Sequence, residues 1–158
     1  MKKITTFIFL LMLTMQASAQ NMKDIIRNMP DSITPLLTKN NRLDFIDYLD
    51  AAQKAEEKNR LGGTSEMTKL TATRAVIRMS KSSTWDFKLL NASAEPTLGI
   101  ITTVQSDSTT FTSIIRYYNL DWQLIKTVIP EGFERCEWND DSDEISKTEY
   151  HPLALKQE

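Results

Sequence analysis

Four ionisable side chains crowd one short stretch of the chain: Arg42, Asp44, Asp47 and Asp50. Carboxylates this close together serve acid–base chemistry or bind a cation. On a helix, however, Asp47 and Asp50 share a face with Lys54, and Asp50 and Lys54 stand at i,i+4 spacing, where opposite charges attract across one turn. Asp44 suits the positive end of the helix dipole. A solvated helix face accounts for the cluster, and a small hydrolase using Asp44, Asp47 or His151 stands as the alternative.

Other constellations fail on their own chemistry. Asn139-Asp140-Asp141-Ser142-Asp143 has the alternating oxygen ligands with which a calcium loop begins, but Glu144 stands where the loop needs glycine and Tyr150 where it needs a bidentate glutamate. Only weak, adventitious calcium binding is left to it. Cys136 and His151 are the single thiol and the single imidazole. Their flanking residues, Arg135, Glu137, Tyr150 and Pro152, signal neither an orienting third group nor an oxyanion hole. One cysteine and one histidine also exclude a structural zinc site in a monomer. Gly62-Gly63-Thr64 follows a helical pattern and lacks the Gly-Lys-Ser/Thr ending of a phosphate loop, so it reads as a helix stop. No catalytic residue, metal ligand set or cofactor motif is assigned.

The aromatic residues point elsewhere. Trp85 and Trp122 alternate in step with Phe87, Leu89 and Leu124, which places them in a core. Trp138 sits between Glu137 and Asn139 in a polar run, and an exposed ring there marks a binding surface.

The elements that position these residues follow from periodicity. A short helical turn covers Asp24 to Met29 and stops at Pro30, with a second short segment near Ile33 to Leu37. One long helix is expected from Arg42 to Lys58, capped by Asn41, with Phe45, Tyr48, Leu49, Ala52 and Ala55 in one stripe. After Gly63 the period becomes two. Strands are expected around Ala75 to Met79, Trp85 to Leu89, Leu98 to Val104, Phe111 to Tyr117 and Trp122 to Ile129, joined by turns at Ser82-Ser83, Ser106 to Ser108 and Asn119 to Asp121. Connections this short join antiparallel neighbours. The expected fold is α+β, with N-terminal helices packed on one face of an antiparallel meander of about five strands.

On the uncovered face the polar phase carries Arg74, Arg78, Asp86, Lys88, Thr112, Arg116 and Gln123. The same phase carries Val76, Leu90, Ile114 and Ile125, more apolar than a solvated face requires. A cover is therefore expected, and the C-terminal segment from 133 to 158 is preferred over a partner, its alternative being a mobile tail. The candidate ligand-binding residues are Arg74, Arg78, Lys88, Arg116 and Trp138.

The first residues read as an export signal. Lys2 and Lys3 precede an uncharged apolar run from Ile4 to Met15, and Ala17-Ser18-Ala19 offers a small-x-small cleavage site, so residues 1–19 form a signal peptide and 20–158 a single domain. No cysteine stands at the cleavage point, which excludes a lipoprotein. No second apolar run is long enough to span a bilayer. Losing Lys2 and Lys3 leaves seventeen basic residues against twenty-one acidic, a net charge of −4. That balance, with the basic residues dispersed, argues against nucleic acid.

Met29-Pro30-Asp31-Ser32, Pro35-Leu36-Leu37, Asn41-Arg42-Leu43-Asp44 with Asp47, Gly62-Gly63-Thr64-Ser65, Met79-Ser80 and Leu89-Leu90 together resemble an uncharacterised domain-of-unknown-function family of exported proteins from Bacteroides-like bacteria. The resemblance implies a periplasmic or surface location and carries no assigned activity. Asp31-Ser32-Ile33 and Asp107-Ser108-Thr109 are similar to the tripeptide that such bacteria modify with O-linked glycans. The functional expectation is a non-enzymatic binding or interaction module with a protein or glycan partner in the cell envelope. A periplasmic hydrolase and a structural subunit of an envelope assembly are the alternatives.

Overall fold

The computed structural model describes residues 21–91, 95–132 and 134–149. The expected signal peptide and His151 lie outside these residues. Helix α1, Met22–Asn28, is capped by Asn21, whose side chain accepts the Asp24 N–H at 3.0 Å. It buries Met22, Ile25 and Ile26.

Helix α2, Lys39–Asp50, starts and ends earlier than its apolar pattern predicts. Thr38 is the cap: its hydroxyl accepts the Asn41 N–H at 3.1 Å, and the Asn41 side chain returns the bond to the Thr38 N–H at 3.0 Å. Asn41 thus serves three residues inside the helix, as the far half of a capping box. At the other end Ala52 takes φ 54°, and the Gln53 and Ala52 N–H groups bond back to the Tyr48 and Leu49 carbonyls. That closure satisfies the terminal carbonyls and turns the chain out of the helix. Arg42, Phe45 and Ile46 are the buried residues of α2, while Ala52 is exposed and Ala55 belongs to a strand. Asp50 is held by Lys23 at 2.7 Å, and Lys54, beyond the helix, pairs with Glu56.

Seven antiparallel strands follow in sequential order: β1 Ala55–Lys58, β2 Thr64–Leu70, β3 Arg74–Ser80, β4 Ser83–Leu90, β5 Thr97–Gln105, β6 Phe111–Tyr118 and β7 Leu124–Val128. The expected five became seven because Ala-Glu-Glu-Lys and Thr-Ser-Glu-Met-Thr-Lys-Leu are too polar to announce themselves as strands. Gly62, at φ 76°, sits in the turn between β1 and β2. The glycine pair therefore builds a hairpin and ends no helix. Trp122, with φ 63°, lies in the turn before β7 and not on the strand. A second sheet pairs β8 Glu134–Trp138 with β9 Ile145–Glu149.

Directly opposed residues of antiparallel strands share a face. Ala75 opposes Phe87, which opposes Ile100; Ile77, Met79, Leu89 and Leu98 lie on this same side. These residues form one buried cluster with Met22, Ile26, Phe45 and Ile46 of the helices. The other side carries the rows Val76, Asp86, Ile101, Ile115 and Arg78, Thr84, Thr103, Ser113. There a smaller cluster joins Ile101 and Ile115 to Cys136 and Trp138 of β8. The β8–β9 hairpin therefore lies against the second face of the sheet.

Candidate functional site

The hairpin is fastened to the sheet by charge. Arg74 on β3 reaches across to Asp86 on β4, Nε to Oδ1 at 2.9 Å and Nη2 to Oδ2 at 2.8 Å. The third guanidinium nitrogen, Nη1, meets Asp140 at 2.6 Å, just past β8. Asp86 Oδ2 also accepts the backbone N–H of Trp138 at 2.9 Å. Lys69 grips Asp140, and Lys88 donates to the backbone carbonyls of Asn139 and Asp140 at 3.0 and 2.9 Å. Arg74, Asp86 and Lys88 are buried, and buried charges persist only when paired or hydrogen-bonded, as Arg74 is with Asp86 and Lys88 is with the two carbonyls.

Burial pushes the Asp86 carboxyl up, against the opposing pull of Arg74 and the Trp138 N–H. Burial also disfavours the Arg74 charge, yet the Asp86 and Asp140 carboxylates more than offset it and raise its pKa. Asp140 is pulled down to about 2 by its bonds to Lys69 and Arg74.

Beside this clamp, on the same face, a cleft of about 460 Å³ opens between strands β2 to β6 and the edge of β8. Five cations border it, Lys69, Arg74, Arg78, Lys81 and Arg135, against two carboxylates, Asp86 and Glu137. The clamp closes one end. At the other end the β3–β4 turn brings Lys81 and Ser82 beside Thr84, which opposes Arg78, and Gln105, whose N–H bonds the Ser82 carbonyl at 2.7 Å. Arg78 is held by Glu66 at 3.0 Å, and Arg135 by Glu137. Among the described residues the side chains of Lys81, Thr84 and Gln105 have no polar partner.

Two of the five expected ligand-binding residues border the cleft, Arg74 and Arg78. Arg74 and Lys88 are buried in the clamp, so they shape the site from beneath. Arg116 is displaced: it opposes Ile100, on the helix side of the sheet, and Thr112 shares that side. The expected phase of β6 is thus reversed. Apolar residues occupy both of its parities, and Phe111, Ser113, Ile115 and Tyr117 are the ones facing the hairpin. Trp138 is 2 % exposed and offers no ring to a ligand. Its indole lies on Gly99, where a Cβ would stand 2.3 Å from the ring.

The acidic run Asn139 to Asp143 is the hairpin turn, with Asp140 committed to the clamp and Asp143 accepting the Asn91 N–H at 3.1 Å. Burial raises the Cys136 pKa, which suits a packed thiol and not a nucleophile. The Asp47 side chain is exposed on α2, and neither it nor Asp44 lines this cleft or the shallower hollow beside Lys23 and Asp50. Arg42, one of the expected ionisable cluster, is buried and structural, donating to the carbonyls of Ile26, Met29 and Leu37 and to Asp31. Lys69, Lys81, Thr84, Gln105 and Arg135 belong to the site without having stood out in the sequence. The alternation of Arg135, Cys136 and Glu137 was the available signal.

Sheet, helices and a cleft roofed by a clamped hairpin define an α+β domain built to present a polar hollow on the sheet face that its hairpin partly covers. The chain belongs to a family described as Protein of unknown function (DUF3256), whose model matches residues 14–154. Its fold is similar to a domain of an uncharacterized protein from Porphyromonas gingivalis W83, with a TM-score of 0.57 at 21% identity. The likeness covers 66% of this chain and 53% of that one, so this chain spans about half the length of the neighbour's. Comparison with curated proteins returned no significant match. Among the described residues no helix is long and apolar enough to cross a membrane.

Proposed function

We propose that this protein is a non-enzymatic binding module of the cell envelope, exported by the leader at residues 1–19, and that its ligand occupies the cleft between the sheet and the β8–β9 hairpin. The observation that carries this reading is the pairing of a 460 Å³ hollow with unengaged polar side chains at its open end. Sites for small ligands are concave and orient their occupant with a few placed polar groups. Turnover is disfavoured by the engagement of both bordering carboxylates, Asp86 with Arg74 and Trp138, and Glu137 with Arg135. A general acid or base must reach a substrate proton, and both oxygens of Asp86 are already occupied.

The test is to present the full chain to arrays of glycans and envelope peptides, alongside a Thr84→Trp variant that fills the cleft and an Asp47→Asn variant that alters only the helix face. Binding lost in Thr84→Trp and kept in Asp47→Asn is expected. Capture indifferent to Thr84→Trp, or turnover of glycosidase, esterase or peptidase substrates that Asp47→Asn abolishes, would overturn the reading.

A further inference from the structure

Building on that cleft, we infer that it takes an acidic saccharide, with the ligand's carboxylate held at the Arg78–Lys81 end and its hydroxyls against Ser82, Thr84 and Gln105. The charge comes first. Five cations and two carboxylates border the hollow, in a chain whose overall charge is −2. Four of those cations already have acidic partners: Arg74 with Asp86 and Asp140, Lys69 with Asp140, Arg78 with Glu66 and Arg135 with Glu137. Lys81 has none among the described residues, so the positive charge left over lies at the open end. Arg78 spends one guanidinium nitrogen on Glu66 and keeps further N–H donors to share with an anion.

The neutral groups at this end supply the second requirement. A hydroxyl or a primary amide both donates and accepts, and so does each hydroxyl of a sugar ring. Among the described residues Thr84 and Gln105 stand unengaged beside Lys81, and the Ser82 hydroxyl makes no side-chain bond. A bare inorganic anion accepts from the hydroxyls and the amide N–H but offers no donor to their oxygens, so it would use only half of what these groups provide. A neutral sugar would leave Lys81 without its counter-charge. Among the described residues no helix N-terminus and no glycine-rich loop borders the cleft, so the backbone N–H cradle that holds a polyphosphate is missing and the donor set is one of side chains.

Calorimetric titration of the full chain with trigalacturonate, its neutral methyl ester and sodium sulfate tests this. Trigalacturonate is expected to bind, with the methyl ester at least about tenfold weaker, since each charge-assisted bond is worth about that factor or more. Lys81→Ala should weaken the acid by about tenfold and leave the ester unchanged, with Lys81→Arg restoring it. Lys81 is exposed and has no acidic partner among the described residues, so its replacement does not threaten the fold. Equal binding of acid and ester, or of sulfate and acid, would overturn the ligand class. Binding of the acid that ignores Lys81 but is lost in Thr84→Trp would overturn the assigned end while the cleft stands. Binding that ignores Thr84→Trp as well would remove both this inference and the cleft reading. If no saccharide binds and a Thr84→Trp-sensitive peptide is captured instead, the acidic saccharide is excluded and the cleft reading survives.

Discussion

Asp140 is a half-exposed carboxylate whose two partners, Lys69 and Arg74, sit on the sheet while it sits on the hairpin. Held at about 2 in the folded chain and near 3.8 in the unfolded one, it favours folding above roughly pH 4 and loses that contribution as the pH falls toward 2. Urea midpoints measured from pH 5 to pH 2 should therefore drop more steeply for the native chain than for Asp140→Asn; parallel curves would show that the pair adds nothing. Arg74 itself was legible as polar-phase and cationic, but its task was not. Nothing in sequence spacing says that Asp86, twelve residues on, and Asp140, sixty-six residues on, converge on one guanidinium. Trp138 misled for the same reason. Its neighbours Glu137 and Asn139 are polar, and only the docking of β8 onto Gly99 buries its ring.

Among the elements, β3 to β6 could be read because alternation is strong wherever one face packs against a core. The end of α2 could not, since an alanine at φ 54° closes it where no glycine or proline marks the place. The parity of β6 was also ambiguous, with Ile114 and Tyr118 on one side balancing Ile115 and Tyr117 on the other. What fixes that parity is the partner on the far side, Cys136 with Trp138, which lies outside any local window. Gly99 is the narrow point of this docking. Gly99→Ala would thrust a methyl into the indole of Trp138, and overpacking of this kind costs about 1–3 kcal/mol. Chemical denaturation and a red shift in tryptophan emission, reporting a hairpin pushed off the sheet, are the expected readouts. An unchanged emission spectrum and unfolding midpoint would mean that the indole is not seated there.

At the scale of the molecule, one sheet serves two cores. The larger joins the helices to strands β1 to β5, and the smaller lies between β5, β6 and the hairpin. The sheet's two edges differ as well: β1 is short, charged and in contact with α2, while β7 leaves Leu124, Ile125 and Val128 exposed. The order of the strands has a kinetic consequence. Because every strand of the large sheet pairs with its chain neighbour, each step of sheet formation closes only a short loop, and such local contacts form early. The clamp is of another kind, since Trp138 must find Asp86 across fifty-two residues. The last wall of the cleft is thus expected to be set in place after the sheet that floors it. During refolding by dilution from urea, far-UV ellipticity should recover ahead of ligand competence, and substitutions at Asp140 should speed unfolding while leaving the refolding rate nearly untouched.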